Sequence, residues 1–369
     1  MKKGNNIFDK ETFNFIKGLA VILLFFHHFF TFPEFYLPKF YYPELQFYAK
    51  YFQFSSNLCV AMFAFLTGYG FCFSDNKSFD HFLIKAKKIL IVYWFLYFIL
   101  FFFAVGVGLY VINYKEAILE FFGFRDNSVD GDIITFFWYM PFYLAVLFIL
   151  TATYSVFSKL KSVFITDVII FAIIPVFLFS FLCNLASSCF WIKRFFVDLE
   201  LWFPSVIIGF ITAKYGLFQL LDDAFCNTFK KPFVTSLFIP SALVASIFYG
   251  MYKLPGIIYN LHGFVFSPII WNMSTCYILF LVYSSAKFYE QLRNKSIRYI
   301  IKEFGKYSLY MWLIHGIFFN VFKYYTQPIL FFPKYPLLIM LWGLGICLFL
   351  SKVLEAAIKK ANYYKNRLL

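Results

Sequence analysis

The chain has 369 residues, of which 62% are hydrophobic, 25% are aromatic and only 14% are charged. A single soluble core cannot bury that much apolar surface, so the composition excludes an ordinary soluble protein and predicts a polytopic membrane protein. The formal net charge of +14 would suit a nucleic-acid-binding protein, but the basic residues are spread over short loops and no recognition motif accompanies them. We therefore expect a lipid bilayer, and no nucleic acid, as the partner of this chain.

Ten apolar stretches are long enough, or nearly so, to cross a bilayer as helices. The predicted spans are residues 15–31, 56–73, 89–111, 134–157, 164–183, 197–213, 233–251, 264–286, 305–325 and 335–354. No internal repeat and no soluble segment interrupts this series. We therefore predict an all-α fold in which residues 1–369 form one membrane domain, a transmembrane helical bundle of about ten spans. The first apolar run lacks a small-residue cleavage site after it, which predicts a retained helix and not a signal peptide.

The distribution of basic residues predicts how the spans are oriented. If the amino terminus is cytoplasmic, both ends of a ten-span chain are cytoplasmic, and most of the 33 Lys and Arg residues fall on the inner side. Cytoplasmic loops show this bias, so we expect a multi-pass protein of the cell membrane with both termini inside. Two segments then lie outside, where a polar acceptor would arrive. Residues 32–55 are rich in Phe and Tyr, which form either a platform for sugar rings or an interfacial aromatic belt, and residues 113–133 carry acidic side chains.

The first predicted span carries the ionisable groups that stand out most. Its sequence, FIKGLAVILLFFHHFF, contains Lys17 near the start and His27 and His28 near the end. On a helix, Lys17 and His28 share one face and lie roughly 16 Å apart along the axis, whereas His27 points about 100° away and suits a structural role. A cation can hold a phosphate and an imidazole can move a proton. The alternatives are that Lys17 is an interfacial anchor and that the histidines are satisfied core residues.

The entry to the third predicted span is the next basic cluster. The run FLIKAKKILIVYW places Lys85 and Lys88 one helical turn apart, on the same predicted inner side as Lys17. Such a pair either anchors a helix to anionic lipid or clamps a polyanionic molecule such as a coenzyme A (CoA) thioester. In the second case the acyl arm of the thioester would point inward to His28.

Several short motifs occur along the chain in a fixed order. They are IKGLAVILLFFHHF, FAFLTGY, KAKKILIVYW, WYMPFYL, FPSVIIG and GKYSLYMWLIH. Together they resemble the motifs of the integral membrane acyltransferase 3 family, from the basic residue and histidine of its first helix to a Gly-Lys-x-Ser signature near the end. The chain departs from that pattern at five positions, one of which is His27, where an aromatic residue is usual. Lys85 and Lys88 replace two arginines and so lose the bidentate phosphate contact of arginine, Thr67 replaces a serine, and Ile91 stands where proline is common.

The resemblance implies a bundle of membrane helices that transfers an acyl group, usually acetyl, from cytoplasmic acyl-CoA to a hydroxyl of a polysaccharide or lipid-linked sugar at the outer face. His28 would be the base that deprotonates the acceptor hydroxyl, or a transient acyl carrier. Acyl-CoA would be a co-substrate, no cofactor would be bound permanently, and the bacterial plasma membrane would be the location. The residues that would bind acyl-CoA are Lys17, Lys85 and Lys88. The supporting positions would be Thr67, Gly68, Tyr69, Ser308, His315 and His27.

Some of these candidates keep two interpretations from the sequence alone. Thr67 either donates to a thioester carbonyl or bonds the helix carbonyl four residues back. His315 either orients a partner or satisfies a backbone carbonyl. Asp198 and Glu200, near the outer start of a helix, either orient a histidine or lie exposed at the interface.

The cysteines and histidines give no support for a metal site, because their spacings do not match a ligand set. The seven cysteines contain no CxxC pair, and we expect free thiols, with Cys183 and Cys189 as the one plausible pair. A different class of function stays open, a transporter or flippase for a lipid-linked glycan, because carriers also bury His and Lys within their spans. A degenerate family member that acts only as a partner in a synthase complex is a third possibility.

Overall fold

The computed structural model describes residues 8–30, 58–124, 133, 137–158, 163–186, 189–228 and 267–368. Within these residues the regular structure is helical and no strand occurs, which confirms the all-α prediction. In chain order the α-helices are α1 Lys10–Phe30, α2 Leu58–Cys72, α3 Phe79–Gly106, α4 Tyr114–Phe121, α5 Tyr139–Phe157, α6 Phe164–Val168, α7 Ile174–Leu185, α8 Phe190–Tyr215, α9 Leu217–Thr228, α10 Ser267–Gln291, α11 Lys295–Lys306, α12 Ser308–His315, α13 Lys323–Leu330 and α14 Pro336–Leu368. The π-helical turn Ile169–Ile173 joins α6 to α7, and the 3-10 turn Gly316–Phe318 follows α12.

Five of the described helices are long and apolar enough to cross a membrane. They are α1, α3, α5, α8 and α14, at the first, third, fourth, sixth and tenth predicted spans, and α2 and α12 are shorter apolar helices. The seventh predicted span, residues 233–251, and the outer segment 32–55 lie outside the described residues. The count of ten spans and the orientation of the termini stay predictions.

The ninth predicted span, residues 305–325, is not one continuous helix. α12 ends at His315, the 3-10 turn Gly316–Phe318 follows it, and a non-helical segment precedes α13. Glycine lowers helix propensity in this turn. Asn320 supplies a local alternative to helical bonding, because its side-chain oxygen accepts the Phe322 N–H at 3.1 Å. The prediction of a single helix here is therefore wrong, and the break places His315 at the end of a helix.

Contacts between residues divide the chain into two units. Unit 1 comprises Met1–Ala20, Asn57–Phe79 and Ala145–Lys306, and unit 2 comprises Val21–Ser56, Asp80–Leu144 and Tyr307–Leu369. The boundary falls within α1. Its amino-terminal half therefore belongs to unit 1, and its carboxyl-terminal half belongs to unit 2.

Helix α8 is the centre of unit 1, where it packs against α2, α7 and α10. Glycines let α2 and α8 approach until their backbones touch. A Cβ on Gly68 would overlap the backbone carbonyl of Val206, and a Cβ on Gly209 would overlap that of Phe65. Small residues allow this kind of close crossing between membrane helices, which associate through packing and not through a hydrophobic effect.

Replacing Gly209 with Ala is expected to destabilise unit 1, because the added methyl group must displace the backbone of α2. Overpacking of this kind costs about 1–3 kcal/mol, which should lower the Tm of the purified protein in detergent. Gly345→Ala in α14 is the matched control, since a Cβ there meets no atom within 4 Å and alanine favours a helix. An unchanged Tm for Gly209→Ala would contradict the close crossing of α2 and α8.

The amino-terminal half of α1 is fixed in unit 1 by polar contacts at its start. The Asp9 carboxylate accepts the Thr12 N–H at 2.7 Å and so caps the helix. The Glu11 carboxylate accepts the Tyr289 hydroxyl at 2.8 Å and pairs with Lys302 at 2.9 Å. These bonds hold the turn of α1 that precedes Lys17.

Unit 2 contains the carboxyl-terminal half of α1, α3, α4 and the helices from α12 onward. α12 and α13 both pack on α14. The ring of Phe29 on α1 meets α14 at Gly343, where a Cβ would overlap it. These contacts bring the end of α1 together with the end of α12, which is where the predicted histidines lie.

Candidate active site

His28 and His315, here called the histidine pair, are in direct contact in unit 2. Their ring centroids are 4.8 Å apart, with an angle of 42° between the rings. The His28 residue is 8% exposed and His315 is 0% exposed. Ionisable groups buried among membrane helices are expensive and are functional candidates by default, so the pair is the candidate reaction centre.

Aromatic side chains enclose the histidine pair. The ring centroid of Phe25 is 5.8 Å from that of His315, and the centroid of Phe319 is 6.3 Å from that of His28. Phe29 packs on Phe319 at 5.3 Å. This apolar shell limits the access of water and fixes the ring orientations.

The tautomer of His315 follows from its backbone contact. Its Nδ1 lies within hydrogen-bonding reach of the Trp312 carbonyl oxygen, three residues back. A carbonyl only accepts, so Nδ1 is the protonated nitrogen and Nε2 of the neutral ring is the acceptor. The predicted bond to a backbone carbonyl is thus present, and the same side chain also contacts His28.

His27 joins the edge of this cluster. Its ring centroid lies 4.9 Å from that of His28, in an edge-to-face arrangement with an angle of 67°, and the residue is 7% exposed. The structure therefore buries both neighbouring histidines of α1. It brings His28, and not His27, against His315 by ring contact.

The predicted cations occupy different surroundings. Lys17 lies in the part of α1 that belongs to unit 1, is half-buried, and has its Nζ 5.3 Å from the ring centroid of Phe13. Lys85 and Lys88 lie on α3 in unit 2, where Lys85 is half-buried and Lys88 is exposed. A lysine whose stem lies among apolar groups keeps its charge near the polar boundary. Contact of Lys17, Lys85 or Lys88 with a phosphate is therefore a proposal.

The Thr67-Gly68-Tyr69 motif is accounted for by packing in unit 1. The Thr67 hydroxyl donates to the Phe63 carbonyl at 2.8 Å, which is the helix-carbonyl alternative of the sequence prediction. Gly68 lies at the close crossing described above. Tyr69 packs with its ring centroid 4.5 Å from that of Phe8. Ser308, the first residue of α12, is buried in unit 2.

A comparison of the whole sequence with known families decides the class of protein. The family model that describes an acyltransferase domain, acyltransferase 3, matches residues 11–354. The chain belongs to the acyltransferase 3 family. No curated protein and no solved structure matches it. The match begins in the first turn of α1 and ends within α14, so this membrane acyltransferase contains the histidine pair and all the predicted cations inside its family domain.

Asp198 and Glu200 lie inside α8 of the acyltransferase, which begins at Phe190, and both have partners other than histidine. Asp198 is buried and pairs with Arg194 at 3.4 Å, and Glu200 accepts the Ser180 hydroxyl at 2.7 Å. Asp198 is therefore not the exposed interfacial residue of one interpretation. Cys183 and Cys189 are free thiols, which confirms the expectation of free thiols for them and excludes the one plausible pair. Among the described residues no group of His, Cys, Asp and Glu could hold a metal ion.

Two buried polar residues of the acyltransferase were not predicted from the sequence. Glu120 was expected to lie among the acidic side chains of an outer segment, yet it is 1% exposed, and Asn320 is 6% exposed. The burial of Glu120 is new, and the placement of its segment on the outer side stays a prediction. The sequence carried one weak signal, because Glu120 follows Ala117 by three residues and the two share a face of α4.

Proposed function

We propose that this acyltransferase moves an acetyl group from cytoplasmic acyl-CoA to a hydroxyl of an extracytoplasmic polysaccharide or lipid-linked sugar. Family membership supports acyl transfer within a membrane protein. The observation that carries the proposal is the contact of two buried imidazoles, His28 and His315, at 4.8 Å between ring centroids. A buried imidazole is the general base that deprotonation of a hydroxyl requires.

In the proposed reaction His28 takes up one proton and later gives it back. A ring nitrogen of His28 takes the proton of the acceptor hydroxyl as the hydroxyl oxygen attacks the thioester carbonyl carbon. The new C–O bond forms, the C–S bond breaks, and the imidazolium returns its proton to the leaving thiolate, so that the products are an ester and free CoA. A covalent acyl-His28 intermediate would divide the same transfer into two steps.

His315 is proposed as the residue that orients His28. Its Nδ1 proton is held by the Trp312 carbonyl, which fixes the ring and leaves Nε2 as the acceptor nitrogen. A base is effective when a neighbouring group holds its ring in the geometry that the proton transfer needs.

The phosphates of acyl-CoA are proposed to bind the predicted cations. Lys17, Lys85 and Lys88 are assigned this role on the strength of the motifs that contain them. The excess of basic residues on one predicted side supports a cytoplasmic donor and both termini inside. The count of about ten spans comes from the apolar stretches of the sequence, and location in the bacterial plasma membrane is what the family resemblance implies. Acyl-CoA is then a consumed co-substrate and not a bound cofactor.

The proposal is tested by giving membranes that contain the protein acetyl-CoA labelled in its acetyl group, with the glycan acceptor present. We expect an alkali-labile label in the glycan together with free CoA, and neither product in membranes without the protein. A transporter or flippase would move its substrate without consuming acyl-CoA. Movement of a lipid-linked sugar with no release of CoA would therefore contradict the proposal.

A further inference from the structure

Glu120 is a buried carboxylate that the proposed reaction does not use. It lies on α4 in unit 2, where its Oε1 accepts the Ile133 N–H at 3.0 Å and its Oε2 accepts the Tyr110 hydroxyl at 3.2 Å. Burial of a carboxylate is costly unless hydrogen bonds satisfy it. These bonds tie together three separate points of the chain, so the side chain acts as a cross-link between segments.

Side chains of α3 hold α4 in place. The donors are two tyrosine hydroxyls and an indole N–H, and the acceptors are backbone carbonyls between the middle and the end of α4. The bonds run from Tyr93 to Glu120, from Trp94 to Phe121 at 3.0 Å and from Tyr97 to Ala117 at 3.2 Å. The donors lie roughly 14–20 Å before the end of α3. α4 therefore runs back along a helix long enough to cross the membrane, and three of its carbonyls accept side-chain bonds from that helix.

A further bond links Ile133, and through it Glu120, to the turn after α12. Ile133, whose N–H is bound by Glu120, accepts the Asn320 side-chain amide at its carbonyl at 2.7 Å. The Asn320 oxygen in turn accepts the Phe322 N–H at 3.1 Å. One buried amide thus bridges the backbone at Ile133 and the segment that directly follows His315.

The segment that Asn320 holds forms one wall of the histidine pair, since Phe319 packs on His28 and His315 ends the preceding helix. We propose that Glu120 and Asn320 are positioning residues, which through Ile133 hold this segment so that His315 and Phe319 stay against His28. The proposal rests on the proposed role of His28 in acyl transfer. Neither positioning residue is assigned a contact with substrate.

The test compares Glu120→Ala with the conservative variant Glu120→Gln. Loss of the carboxylate removes the bond to the Ile133 N–H and so loosens the segment that carries Phe319. A small displacement of catalytic groups lowers the rate of reaction about 10²-fold. We therefore expect Glu120→Ala to lower kcat about 10²-fold with a KM for acyl-CoA within about threefold of the wild-type value. A glutamine can accept the Ile133 N–H and donate to the Tyr110 oxygen, so Glu120→Gln should keep kcat within about threefold.

Ser351→Ala is the matched control. Ser351 is also fully buried in unit 2 and donates its hydroxyl to the Cys347 carbonyl at 2.6 Å, but it lies on α14, outside the Glu120–Asn320 chain of bonds. It should retain kcat. A folded Glu120→Ala protein with the kcat of Ser351→Ala would overturn the proposal. Equal losses in Glu120→Gln and Glu120→Ala would also overturn it, because the carboxylate charge and not its bonds would then matter.

Asn320→Asp supplies a second variant if Glu120→Ala does not fold. An aspartate keeps the acceptor for the Phe322 N–H but cannot donate to the Ile133 carbonyl. We expect the same fall in kcat, with the KM for acyl-CoA again within about threefold. A folded Asn320→Asp protein with unchanged kcat would overturn the link through Ile133.

A measurement that does not depend on turnover separates this proposal from the proposed function. Diethylpyrocarbonate modifies accessible imidazoles, and its rate at His28 is read by mass spectrometry of the purified full-length protein. Loss of the two bonds of Glu120 should raise that rate about tenfold or more in Glu120→Ala, because the segment that covers His28 then opens more often, and Glu120→Gln should stay near wild type. Absence of CoA release from the wild-type protein would defeat the proposed function alone, whereas an equal rate at His28 in all variants would defeat the positioning role alone.

Discussion

Replacing His28 with Ala is expected to lower the rate of ester formation by about 10²–10⁴-fold, the usual contribution of a general base. The acceptor hydroxyl then has no buried imidazole to take its proton while the thioester is attacked. The measurement is the initial rate of labelled ester formation by purified protein at saturating acyl-CoA. Binding of acyl-CoA should be unchanged, because the variant removes no cation.

His81→Ala is the control for this variant. His81 lies on α3, in the same unit as the histidine pair, and it is half-buried at the start of that helix. It should retain the wild-type rate, and size-exclusion chromatography in detergent should show both variants folded. A folded His28→Ala protein that forms ester at the wild-type rate would remove His28 from the mechanism.

Replacing Lys17 with Ala is expected to raise the KM for acyl-CoA by roughly 10- to 100-fold, as loss of a charge-assisted bond worth about 1.5–3 kcal/mol implies. The effect should fall on KM and not on kcat, because the phosphate contact is the same in the ground state and the transition state. Lys17→Arg should keep the KM near the wild-type value, since the guanidinium also binds phosphate. The measurement is the dependence of initial rate on acyl-CoA concentration.

Lys10→Ala is the matched control for the lysine variant. Lys10 begins the same helix but is exposed, so its removal changes the net charge equally while sparing the proposed contact. An equal rise in the KM of Lys10→Ala and Lys17→Ala would indicate that both lysines attract the acyl-CoA anion only by long-range charge, an attraction that added salt weakens. An unchanged KM in Lys17→Ala would contradict the phosphate contact and favour the alternative that Lys17 is an interfacial anchor.

The all-α fold was predictable, and the candidate residues of α1 could be singled out, because both signals are local. An apolar run of about 20 residues identifies a membrane helix whatever it packs against. A lysine and histidines within such a run are unusual by composition alone. For that reason Lys17 and His28 stood out before any contact was known.

The contacts of those residues were not predictable, because they depend on segments that are distant along the chain. His28 meets His315 only because α12 ends there, and that end is set by a glycine turn and a side-chain bond from Asn320, which a search for apolar runs does not detect. The burial of Glu120 was not predictable for a related reason. An acidic residue in a loop-like segment suggests solvent, whereas the Tyr110 hydroxyl and the Ile133 N–H satisfy it in the interior.

The most direct test of acyl transfer is the stoichiometry of free CoA and ester in proteoliposomes that contain the purified protein. We predict one CoA released for each ester formed, with release stopping when the acceptor is withheld or when His28 is replaced by Ala. Transport of the acceptor across the bilayer with no CoA released would contradict the account.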